Sequence, residues 1–129
     1  MSNGGDLRAW GTTLLRVVIG VVFFMHGGQK LFMGFHNVAG FFGSLGIPYP
    51  TTSAIVVTAA ELLGGGALVL GVCTRYVAAI LAIDIGVALV TYHLKNGFFA
   101  PGVEFPMVLL AANLSLVLSG GGALALFRS

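Results

Sequence analysis

TTLLRVVIGVVFFMHGGQKLFM, residues 12–33, holds one arginine near its start and a histidine and a lysine near its end, with the rest apolar, small or uncharged. A bilayer core of about 30 Å takes about 20 mostly apolar helical residues to cross, so this stretch is long enough to span one. Three stretches of the same character follow, over residues 52–72, 76–94 and 105–119. None alternates with the period of two that a membrane strand requires, and an isolated strand in hydrocarbon would leave its backbone unpaired. The expected architecture is therefore all-α: an integral membrane four-helix bundle, one domain over residues 1–129. Composition agrees. With 57% apolar and only 8% charged residues and a mean hydropathy of +1.02, the chain has too little polar surface for a water-soluble domain.

The stretch at 12–33 is not closed by a small-residue cleavage site but runs into His26-Gly-Gly-Gln-Lys30, so it reads as a retained helix and not as a signal peptide. Between the first two spans, Val38, Phe41, Phe42 and Leu45 fall at i, i+3, i+4 and i+7, and Gly46, Pro48 and Pro50 follow. That pattern predicts a short amphipathic helix lying at the membrane interface. Cys73–Arg75 reads as a tight turn that makes spans two and three antiparallel neighbours. Lys95–Glu104, with Gly97, Pro101 and Gly102, reads as a shaped loop. Arg8, Arg16, Arg75 and Arg128 fall on one side of this topology, against Lys30 and Lys95 on the other. The positive-inside bias then places both termini in the cytoplasm.

The basic residues form no run, so nucleic acid is not an expected partner. The single cysteine, Cys73, excludes a dithiol relay or a cysteine metal cluster within one chain. No metal site is expected. Small residues at every fourth position, Ala78, Ala82 and Gly86 on the third span and the pairs Ala60/Gly64 and Ala67/Gly71 on the second, suggest close helix packing and an ability to oligomerise. Gly64-Gly65-Gly66 reads as part of that packing and not as a phosphate cradle, because no strand precedes it.

An ionisable side chain in hydrocarbon costs at least about 2.5–3.5 kcal/mol, so each needs a partner or a use. Counting inward at about 1.5 Å per residue, His26, Glu61, Asp84 and Asn113 each lie roughly 10–15 Å deep, one from each span. His26 and Lys30 share a face at i and i+4, and Arg16 lies about 40° from Lys30 around the same helix. Glu61 and Asp84 are the candidate proton-handling groups. His26, Lys30, Arg16 and Asn113, with His93 and Glu104 near the outer ends, are the candidate ligand-binding groups. A haem held by His26 and His93 is disfavoured, since their helix faces do not match. The layer admits two readings: interhelical pairs that only hold the bundle, or a binding and proton-coupled site open to the outer side.

Leu15-Arg16, Gly20, His26-Gly27, Lys30-Leu31-Phe32, Glu61-Leu62, Gly64-Gly65, Leu70-Gly71, Thr74-Arg75, His93, Gly97-Phe98 and Gly102-Val103-Glu104 together resemble the DoxX family, from about Leu14 to Gly122. The resemblance implies a bacterial or archaeal inner-membrane protein of four helices. It also implies relatives in oxidoreductase systems, among them a subunit tied to thiosulfate oxidation with quinone reduction and a membrane protein linked to a superoxide-detoxifying complex. Joined to the polar layer, it leads to the expectation of a membrane subunit that binds a quinone or similar small redox partner and works with protein partners in a redox complex. Two alternatives remain at this point: a non-catalytic anchor for a soluble redox enzyme, and a small oligomeric transporter or channel.

Overall fold

The computed structural model describes residues 3–99 and 102–122. Its order is α1 (Asn3–Met33), α2 (Phe35–Ser44), α3 (Pro50–Leu70), α4 (Thr74–Thr91), a 3-10 turn (His93–Asn96) and α5 (Glu104–Ser119). No strand occurs among the described residues. The protein is an all-α membrane bundle. Leu7–Met33, Pro50–Leu70 and Thr74–Thr91 are each long and apolar enough to cross a bilayer, while α5 is a shorter apolar helix.

The breaks between helices have local causes. Gly34 takes a positive φ of 88° and separates α1 from α2, a conformation open to glycine at little cost. Pro50 opens α3 within its first turn, where a missing N–H is no loss. At the far end of α3, Gly71 (φ 77°) enters the left-handed region and the Val72 N–H bonds Ala67 O at 2.9 Å, the hydrogen bond of a glycine-terminated helix. Cys73 then adopts φ 49°, so the turn is completed in three residues and α4 runs back beside α3.

α1 packs most extensively along α3, and α4 along α5. The backbones of α1 and α3 meet at glycines. A Cβ at Gly20 would lie 2.7 Å from Gly65 O, and one at Gly27 would lie 2.7 Å from Leu62 N. Gly65 makes the close approach to α1 and Gly64 faces α4, where Leu81 lies 3.2 Å from the place of its Cβ, while Gly86, expected on a packed face, has open space around it. Ala78 and Ala82 are buried as expected. The main core, Ile19, Phe23, Leu68, Leu81, Ile85, Leu109 and Leu116 among others, draws on all four long helices.

α2 differs from its expected setting in one respect. Val38, only 2% exposed, and Phe42 pack on Ala54 of α3, so part of the apolar face is spent on protein instead of lipid. Phe41 remains exposed and meets Tyr92 edge-on at 5.4 Å, which ties α2 to the end of α4.

Because the α1–α3 contact is backbone against backbone, Gly65→Ala should lower the melting temperature of the detergent-solubilised protein, corresponding to about 1–3 kcal/mol of overpacking. Gly66→Ala, with nothing within 4 Å of its added Cβ, should leave it unchanged. Equal tolerance of both would show that the two helices do not meet at Gly65.

Candidate functional site in the helix bundle

The close approach of α1 to α3 brings two opposite charges together. Lys30 Nζ lies 2.7 Å from Glu61 Oε1, with side-chain exposures of 20% and 7%. Lys30 reaches Glu61 because Gly27, one turn before it, lets α1 lie directly on the backbone at Glu61 and Leu62. A third helix joins through Asp84, half-buried on α4, whose carboxyl is close enough to Glu61 and Lys30 to interact with both. The cluster thus combines one ammonium and two neighbouring carboxyls, a set between which a proton can pass.

His26 stands one turn below Lys30 on α1. Its Nδ1 lies 2.8 Å from Val22 O; a carbonyl only accepts, so this nitrogen carries the proton and Nε2 is left as the acceptor of the neutral ring. The ring stacks on Phe105 of α5, centroids 5.7 Å apart. That stack joins α5 to α1 one turn below Lys30, and nothing in the spacing of the sequence announced it.

The other candidates lie elsewhere. Arg16 does not join the cluster. It sits about 21 Å farther down α1, by helical rise, and is buried. Its Nη1 donates to Gly121 O at 2.5 Å and its Nη2 to Val69 O at 3.4 Å. Both carbonyls are near helix C-termini, where partial negative charge collects and favours a cation. Arg16 thus clasps the ends of α3 and α5 to α1. Asn113 is fully buried between Leu109 and Leu116; its Nδ2 donates to Leu109 O at 2.8 Å, and its Oδ1 has no partner. His93 lies in the turn after α4, edge-on to Tyr92 at 4.9 Å. Glu104 opens α5, where an acid favours the helix dipole, and its N–H bonds Phe98 O at 2.8 Å.

A model of the family described as DoxX matches residues 11–94. The chain belongs to the DoxX family. Among its relatives, a Bacillus subtilis protein named "Putative oxidoreductase CatD" is 40% identical over 116 residues, covering 90% of this chain and 84% of that protein. An uncharacterized protein of Haemophilus influenzae is 30% identical over 131 residues, 98% of this chain and 95% of its own. The Escherichia coli protein named "Inner membrane protein YphA" is 28% identical over 122 residues, 89% and 86% of the two chains. No solved structure matches. The DoxX region at 11–94 contains Lys30, Glu61 and Asp84 together, and among the described residues no group of three His, Cys, Asp or Glu side chains is placed to hold a metal ion.

Breaking this ion pair from either side should destabilise the DoxX bundle. Lys30→Met or Glu61→Gln should each cost about 1–3 kcal/mol, less than the ~3–5 of a fully enclosed pair, because Lys30 keeps a path to the surface. The double variant should recover most of that loss, with a coupling of at least about 0.5 kcal/mol in a double-mutant cycle. Additive losses would mean that the two charges do not interact.

Proposed function

We propose that this chain is the membrane subunit of an oxidoreductase system and binds a quinone, or a small redox partner of similar shape, at Lys30, Glu61 and Asp84. The observation that carries this reading is the cluster itself: an ammonium paired with one carboxyl and neighboured by a second, drawn from three helices of an otherwise apolar bundle. Ionisable groups so placed are expensive, and membrane proteins use them for ligand and proton handling. The name carried by the Bacillus subtilis relative supports redox work.

The residues present fit a quinone. Lys30 offers an ammonium donor suited to a carbonyl oxygen, and the Glu61–Asp84 pair offers a proton donor beside it. The bound quinone supplies a two-electron acceptor that also takes two protons. Lys30 holds and orients the acceptor oxygen, Glu61 passes a proton toward it, and Asp84, the more exposed carboxyl, takes up the next proton. His26, with its Nδ1 proton already given to Val22 O, offers Nε2 as an acceptor in its neutral form, so the donor role falls to Lys30. Electrons come from a partner protein, since one cysteine cannot run a thiol relay.

Four spans with both termini in the cytoplasm belong to the same proposal. Arg16 bonds carbonyls at the ends of both α3 and α5, which supports α5 running the length of the bundle and ending on the arginine-rich side. The cluster then opens outward.

One experiment addresses ligand and orientation together. Dicyclohexylcarbodiimide couples to protonated carboxyls in hydrocarbon, and mass spectrometry should find it on Asp84 or Glu61. A charged, membrane-impermeant quinone analogue added to spheroplasts should reduce that labelling at least about tenfold, the effect of about 1.4 kcal/mol of binding. Protection only in inside-out vesicles would reverse the orientation. Protection neither by this analogue from either side nor by a lipid-soluble quinone would defeat the quinone reading.

A further inference from the structure

Asp84 is the less covered of the two carboxyls in the cluster. Glu61 is enclosed between α1 and α3, but Asp84 stays half-buried on the edge of α4 shared by Val77, Ile80 and Leu81 at i−7, i−4 and i−3. By helical rise it lies about 10 Å below the outer end of α4. A carboxyl partly open toward hydrocarbon at that depth is costly unless something polar reaches it.

Along the same edge, an open groove of about 360 Å³ runs between α3 and α4, lined by Ala60, Gly64 and Ala67 on one side and Val77, Ile80 and Leu81 on the other. Its volume is within the roughly 300–1,000 Å³ of small-molecule sites. Leu81, fully buried, forms its floor, with a side-chain carbon 3.2 Å from where a Gly64 Cβ would stand. The groove is narrow and smooth because small residues line α3, and it follows α3 for about 10 Å, from Ala60 to Ala67. Asp84 continues its α4 wall one turn farther out. A hydrocarbon slot ending at a carboxyl matches an amphiphile with one slender apolar chain and a hydrogen-bonding head.

We propose that the α3–α4 groove holds the apolar tail of the quinone whose head meets Asp84, so that the ligand enters sideways from the bilayer between these two helices. This rests on the quinone reading of the cluster. The tail fixes the head against the carboxyl pair, and the head in turn covers the exposed side of Asp84.

The test uses the full-length protein in lipid nanodiscs and a quinone carrying a diazirine on its tail. After illumination, adducts should concentrate on residues 59–67 and 77–81, and excess unmodified tailed quinone should suppress them at least tenfold. In Ala60→Leu/Ala67→Leu, which fills an open groove and leaves the core untouched, these adducts should fall to background. A tail-less quinone should still protect Asp84 from the carbodiimide in both proteins. Adducts scattered over lipid-facing Leu14, Val18, Val108 and Leu118 with Asp84 still protected would overturn the groove and leave the quinone reading standing. Loss of Asp84 protection in the unsubstituted protein would overturn both. If quinone fails to displace the adducts and Ala60→Cys forms disulfide-linked dimers, the groove is a contact between copies and the proposal falls.

Discussion

A carboxylate about sixteen ångströms down an apolar helix cannot be left unpaired in hydrocarbon, and the position of Glu61 therefore constrains the rest of the bundle. Its cation comes from α1, and Lys30 reaches it at 2.7 Å only because α1 and α3 touch through backbone at Gly20, Gly27 and Gly65. Side chains at those positions would hold the helices apart and turn a direct ion pair into two separately stranded charges. The glycines and the ion pair are thus one feature: close approach lets the charges meet, and their meeting makes the close approach worth keeping. Asp84 extends the pair to α4, and one turn below Lys30 the stack of His26 on Phe105 joins α1 to α5.

At the other end of the molecule, Arg16 solves a similar problem differently. It is a buried cation that donates to backbone carbonyls near the ends of α3 and α5. Between the two charged levels lies the apolar core of Phe23, Leu68, Leu81 and Leu116, all buried. Lys30, Glu61 and Asp84 are therefore separated from the Arg16 end by packed hydrocarbon. In the proposed reading, a ligand or proton would reach them from the α2 side or laterally through the bilayer, which gives the exposed edge of α4 its part in that reading.

Much of the fold was legible from hydropathy alone, since long apolar stretches punctuated by glycine and proline leave helices as the only solution in hydrocarbon. Lys30 with Glu61 was also legible, because each is expensive alone at its depth. Arg16 was misplaced by the same reasoning: helical phase puts it on the face of Lys30, but phase does not record the distance along the axis or the free carbonyls waiting at helix ends. The run Gly64-Gly65-Gly66 was legible as a packing element, but which helix each glycine faces, Gly65 toward α1 and Gly64 toward α4, is undetermined until the partner helices are known. The α2 helix was found from its periodicity, yet periodicity cannot tell whether an apolar face meets lipid or protein, and Val38 meets protein.

If Lys30, Glu61 and Asp84 form a single unit, the two carboxyls share a proton and neither behaves as an independent acid. Infrared difference spectroscopy on the reconstituted protein, with aspartate and glutamate carbons isotopically labelled in turn, reads this directly through the carbonyl stretch of protonated carboxyl groups. One protonated-carboxyl band at neutral pH is expected from this cluster, shifted by both labels and removed by either Glu61→Gln or Asp84→Asn. A band that responds to one label only and survives substitution of the other residue would contradict the shared site.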